Sequence, residues 1–83
     1  MKVLYFAKFR QLIGRSADDV APPPEVKTVG DLLDYLIRTD NGCAAAFSDA
    51  KIIRAAVDQA HVKMDHSIAG AREVAFFPPV TGG

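Results

Sequence analysis

The chain has a single cysteine, Cys43, among 83 residues, so no disulfide can form within it. A reducing compartment is the matching expectation. It has no excess charge of either sign, since 10 Lys and Arg offset 10 Asp and Glu. A domain that binds nucleic acid by bulk phosphate neutralisation runs strongly basic, and that class is excluded. No stretch approaches the roughly 18 consecutive apolar residues of a membrane span. The apolar opening after Lys2 is interrupted by Lys8 and Arg10. That run is shorter than a secretory h-region of about 7–15 residues, and the cytoplasm is the expected location. No glycine-rich phosphate loop, no Gly-x-Ser-x-Gly elbow and no Cys-x-x-Cys pair occurs.

What is present is ordinary globular composition, 49% apolar and 24% charged, enough for one small core and no second one. Val3 to Phe9 predicts a strand, with Val3, Tyr5, Ala7 and Phe9 alternating against Leu4 and Phe6. Apolar residues on both faces suggest a central strand or a face reserved for a partner. Gln11 to Ala17, with Gly14, reads as a turn, and Asp18 to Ala21 as a short strand before Pro22-Pro23-Pro24. Hairpin geometry would make these two strands antiparallel.

Thr28, with Asp31 three residues on, predicts a capped helix start. Val29, Leu32, Leu33, Leu36 and Ile37 then form one apolar stripe, which Asn41-Gly42 is expected to end. Ala44 to Phe47 reads as a further short turn of helix. Ile52 to Val57 predicts a third strand, the Asp58-Gln59 turn follows, and Val62 to Met64 predicts a short fourth. Glu73 to Phe77 is the last strand, ended by Pro78-Pro79 because proline supplies no ladder donor. One main helix on a small mixed sheet is the economical α+β solution. Residues 1–78 form this domain and residues 79–83 a flexible tail ending in Gly-Gly.

Taken singly, the usual catalytic residues are unpromising. His61 and His66 lie five apart in a polar turn region, which is not a metal-ligand spacing. No metal site is expected. Cys43 follows the expected helix C-terminus, which disfavours a thiolate. Asp31 and Asp34 share a helix face, and Asp34 stands at the spacing of an ion pair with Arg38. A solvated face accounts for all three. The chain carries no visible active site of its own and is not expected to be an enzyme alone.

The tail differs. A strand and two prolines aim Val80-Thr81-Gly82-Gly83 outward, and from Pro78 to Gly83 an extended chain reaches about 20 Å. Glycine lacks a Cβ, so Gly82-Gly83 can thread a narrow channel and leave its carbonyl open to attack. This is the design of a carried carboxylate that enters another protein's active site. Adjacent Phe76 and Phe77 point to opposite sheet faces, so one of them cannot share the helix-side core. With Phe6 nearby, if first and last strands are neighbours, an exposed aromatic patch would mark a partner interface.

The KVLYFA opening strand, the T-V-x-x-L-x-x-x-L helix, the AAV of the third strand and above all EVAFFPPVTGG carry a full-length resemblance. The chain resembles the family of small, sulfur-carrying subunits of molybdopterin synthases, which are ubiquitin-like β-grasp proteins. Gly-Gly alone is shared by ubiquitin-like modifiers and by the thiamin-pathway sulfur carrier, whereas FFPPVTGG is much more specific. Where family members often carry D-G-D-E-V, this chain has Ala69-Gly70-Ala71-Arg72-Glu73. That departure bears on partner contacts and not on the fold.

The resemblance implies a sulfur carrier in molybdenum cofactor biosynthesis. An E1-like adenylating partner uses ATP to activate the Gly83 carboxylate, and a sulfur donor enzyme supplies the sulfur of a thiocarboxylate. The tail then delivers that sulfur to cyclic pyranopterin monophosphate in the synthase large subunit, with which a heterotetramer is implied. Gly83 carries the sulfur, while Gly82, Thr81, Val80 and Pro79 position the tail. Phe6, Phe76 and Phe77 are the interface candidates, and no cofactor is bound by the chain itself. The other readings are a ubiquitin-like modifier conjugated through Gly83, the thiamin-pathway carrier, and a plain interaction module with an inert tail.

Overall fold

The computed structural model describes residues 1–79. The first strand, β1, spans Lys2–Tyr5 and stops well short of Phe9. Phe6 is still extended, but Ala7 takes a positive φ of 53° and turns the chain into helix α1, Ala7–Ile13. Phe9 and Ile13, four apart, bury the inner side of that helix. Gly14 closes it in the left-handed conformation, φ 86°, with its N–H donated to the Arg10 carbonyl, as a helix C-terminus favours. Residues 7–13 are therefore neither strand nor turn. An alternation of four residues and a spacing of four share Phe9, and the glycine stop arbitrates between them.

Strand β2, Ala17–Asp19, lies antiparallel to β1, with Val3 opposite Asp18. The connection is the helix α1 rather than a tight hairpin. Helix α2, Val29–Thr39, begins with the expected capping box: the Asp31 N–H donates to Thr28 Oγ1 at 3.1 Å, and the Thr28 N–H donates to the Asp31 carboxylate at 3.2 Å. Val29, Leu32 and Leu36 are buried. Helix α2 ends just before Asn41-Gly42, as expected, and a further helix follows at once. Asp40 is a corner: its N–H donates to the Leu36 carbonyl while its Oδ1 accepts the Cys43 N–H at 3.0 Å. The second bond caps that helix, α3, Asn41–Ser48. The described residues thus hold three helices, of which α2 is the longest.

Strand β3 covers Arg54–Val57 and β4 covers Ala60–Val62, so both differ from the expected bounds. Asp58 and Gln59 both have positive φ, 47° and 73°, as the tight two-residue hairpin turns require. The hairpin stops at Val62 because the backbone beyond it serves α2: the Met64 and His66 carbonyls accept the Gly30 and Val29 N–H groups at 2.8 and 3.0 Å. A Cβ on Gly30 would sit 3.3 Å from the Met64 carbonyl oxygen, so the absence of a side chain there permits this close approach.

The last strand, β5, Glu73–Phe77, matches the expected bounds. The sheet order is β2-β1-β5-β3-β4, with β1 parallel to β5 and the other pairs antiparallel. Val3, Tyr5, Val74 and Phe76 face the helices. Phe47 of α3 gathers the rings of Phe9, Phe76 and Tyr5 at centroid distances of 4.9, 5.6 and 6.2 Å. No described helix is long and apolar enough to cross a membrane.

Candidate functional site at the tail root

The tail leaves from the end of β5, the strand hydrogen-bonded on both sides, to β1 and to β3. A ladder on each flank leaves this strand no freedom to shift, so the direction of Pro78 and Pro79 is set by the sheet. Period-two alternation then separates the two phenylalanines before them. Phe76 has 0% exposure and packs on Phe47. This removes Phe76 from the expected interface: its ring is core, because even-numbered residues of β5 face the helix layer. Phe77 is half-buried on the opposite, open face, its ring 5.1 Å from that of His61.

Phe6 is 46% exposed. Its N–H donates to the Phe76 carbonyl at 3.2 Å, one residue past the Tyr5–Phe76 pair. The parallel register thereby sets Phe6 alongside Phe77. Ala56 and Ala75 are paired neighbours on the same face, and their small side chains keep it flat. Apolar residues stand at its tail-root end, with Arg54 opposite Phe77 and His61 opposite Ala56.

Two apolar residues escaped the sequence reading. Leu12 and Ile52 are 50% and 51% exposed, and they line a groove with Lys8, Phe9, Pro78 and Pro79. The root of the tail is thus walled by α1 and by the segment entering β3. Recognising α1 as a helix would have exposed Leu12, since Phe9 and Ile13 use the buried side. Pro79 is placed here; Val80, Thr81, Gly82 and Gly83 lie outside the described residues.

The polar network of the domain lies away from the tail. Tyr5 OH donates to Asp18 Oδ2 at 2.8 Å, Arg15 Nε donates to the same carboxylate at 2.8 Å, and Arg15 Nη2 donates to Asp40. The Arg15 guanidinium holds Asp18 below the usual carboxylate range, reinforced by the Tyr5 hydroxyl. Asp40 is lowered first by the Cys43 N–H and then by Arg15. Cys43 is fully buried with its Sγ 3.5 Å from Tyr5 OH. Burial pushes this thiol up, so it stays protonated. It sits in the first turn of α3, not beyond a helix end, and desolvation is the cause that governs it. The expected Asp34–Arg38 pair is not formed; among the described residues the ion pairs are those of Arg15 with Asp18 and Asp40. No described group of three or more His, Cys, Asp or Glu side chains is disposed to hold a metal ion.

A mixed sheet with a parallel pair of first and last strands, and helices on one face, defines a ubiquitin-like β-grasp domain. SAMP1 from Haloferax volcanii superposes on it with a TM-score of 0.74 and 26% identity, covering 99% of this chain and 97% of that one. The chain belongs to the ThiS family, whose model matches residues 3–83. It is 43% identical to the molybdopterin synthase sulfur carrier subunit of Escherichia coli K12 over 83 residues, 100% of this chain and 99% of that protein. The molybdopterin synthase sulfur carrier subunit of Haemophilus influenzae is 31% identical over the same length, with the same coverage of both chains.

Proposed function

We propose that this protein is a sulfur carrier for molybdenum cofactor biosynthesis, with Gly83 as the carrying residue. The observation that supports this most directly is the full-length relation to the Escherichia coli sulfur carrier subunit, together with the FFPPVTGG ending. An α-carboxylate has a pKa near 3.5, so it is an anion at neutral pH and a poor electrophile. An adenylating partner with ATP converts it to an acyl-adenylate with release of pyrophosphate. The outer sulfur of a donor persulfide displaces AMP to give an acyl disulfide. A partner thiol then cleaves that disulfide, becoming oxidised to a disulfide with the donor sulfur as the thiocarboxylate leaves. The resulting thiocarboxylate enters the synthase large subunit and donates sulfur to cyclic pyranopterin monophosphate. The acid-base groups for those steps belong to the partners.

The domain's contribution is placement. Phe77 and Phe6 form an apolar docking surface on the open sheet face, and β5 holds the tail root in fixed relation to it. Gly82, Thr81, Val80 and Pro79 span the partner's channel. Buried Cys43, with its thiol held protonated, takes no part in sulfur transfer.

Intact mass of the protein isolated with and without the adenylating partner tests this. One sulfur-for-oxygen exchange on Gly83, dependent on ATP, partner and sulfur donor together, is expected. It should be unchanged in Cys43→Ser. A persulfide on Cys43 with Gly83 always a plain carboxylate would overturn it. A modifier conjugated through Gly83 to lysines uses the same fold and activation, and the terminal Gly82-Gly83 pair is the observation that favours it. High-mass conjugates in a lysate, absent when Gly83 is deleted, distinguish that reading.

A further inference from the structure

The chain is neutral as a whole, but the tail-root end of its open sheet face is not. At the tail-root end of β3 and β4, an open groove is lined by Arg54, His61, Lys63 and His66 around the Phe77 ring. The hairpin's period of two assembles it. Arg54 stands opposite Phe77, His61 stands opposite Ala56, and Lys63 follows His61 by two residues. No described carboxylate lines this groove. Among the described residues both ion pairs are made by Arg15, so Arg54 and Lys63 are not committed within the domain. The acids of the same sheet, Asp19 and Glu73, stand at its other end, each opposite Lys2, and Glu25, Asp31 and Asp34 line a separate groove with Arg38.

An apolar or neutral partner pressed over Phe77 would strip water from two exposed cations without replacing it, at a cost of several kcal/mol per ion. A partner surface with carboxylates avoids that cost. It also speeds encounter, because long-range attraction orients the approach. The chain's own C-terminal carboxylate is the competing source of negative charge. Pro78 and Pro79, however, line the groove beside Lys8, Leu12 and Ile52, so the chain leaves β5 toward the helix layer and away from this cluster.

We propose that Arg54 and Lys63, with His61 and His66, form a cationic rim to the Phe77 docking surface, and that the protein receiving the tail presents carboxylates against it. This rests on the proposed docking role of the open face. The test uses the full chain, with the molybdopterin synthase large subunit encoded by the same genome as probe, and measures association rate against salt. R54E/K63E should associate about tenfold more slowly at low salt and within about twofold of the parent at 1 M salt, with an unchanged melting temperature. If the double reversal fails to fold, R54Q/K63Q should show a smaller slowing of the same sign. Deleting residues 80–83 should leave the charge effect in place. If that deletion abolishes it, the cations serve the chain's own carboxylate and the proposal is overturned. If the reversal leaves association unchanged while Phe77→Asp abolishes binding, the cationic rim is wrong and open-face docking stands. If Phe77→Asp also binds normally, open-face docking itself fails, and the rim with it.

Discussion

Phe76 and Phe77 are chemically identical neighbours, and replacing each by alanine should produce opposite phenotypes. Phe76 is fully enclosed, with its ring centroid 5.6 Å from that of Phe47. Removing it takes away its burial and leaves a cavity that the paired β1 and β3 backbones hold open. Such Phe→Ala changes cost about 3–5 kcal/mol, against a total of about 4–12 kcal/mol for a domain of this length. The melting temperature should fall by at least about 12 °C, and urea should unfold the variant at a far lower midpoint. Phe77→Ala removes a half-buried ring whose described aromatic neighbour is His61, and should cost about 1 kcal/mol or less. On the proposed docking role its effect should fall on the complex: a hot-spot aromatic loses about 2 kcal/mol or more of binding on truncation. Urea denaturation of the free chains and calorimetric titration with the large subunit measure the two quantities. Equal stability losses, or a larger loss for Phe77, would refute the assignment of faces.

Adding one residue after Gly83 displaces the reacting carbonyl by roughly 3.5 Å. It should abolish sulfur transfer with an unchanged melt, and full activity from an untrimmed extended chain would contradict this. The lowered Asp18 and Asp40 carboxyls make stability pH-dependent: their contribution is fully present above the unfolded carboxylate value of about 3.9. It is lost as pH falls through the lower folded values. Arg15→Ala should flatten that acid limb in pH-dependent urea melts. Thr28→Ala removes the α2 cap and should cost about 0.5–2 kcal/mol, read as a lower urea midpoint.

The elements that the sequence made legible are those whose signals are local. Thr28 and Asp31 satisfy each other within one helical turn. Asp58-Gln59 bends the chain within two residues, and Pro78 ends β5 because its ring nitrogen carries no proton. Helix α1 was not legible, because Phe9 and Ile13 become an inner stripe only after Ala7 turns the chain over the sheet. Asn41-Gly42 marked the end of α2, but the full extent of α3 was not legible, because Asp40 caps it and also accepts a bond from Arg15, which is distant in sequence.

By itself the sequence determined the α+β class and the end of β5, because Pro78 and Pro79 act through their own backbones. It also established that Phe76 and Phe77 must face opposite ways. Only the tertiary structure decided which of them is core, since that depends on Phe47 arriving from α3 against the helix-side face. The same holds for the cationic rim. Arg54 and His61 flank Phe77 on the open face only because β3 pairs with both β4 and β5, and pairing between strands distant in sequence is set by the register of the whole sheet.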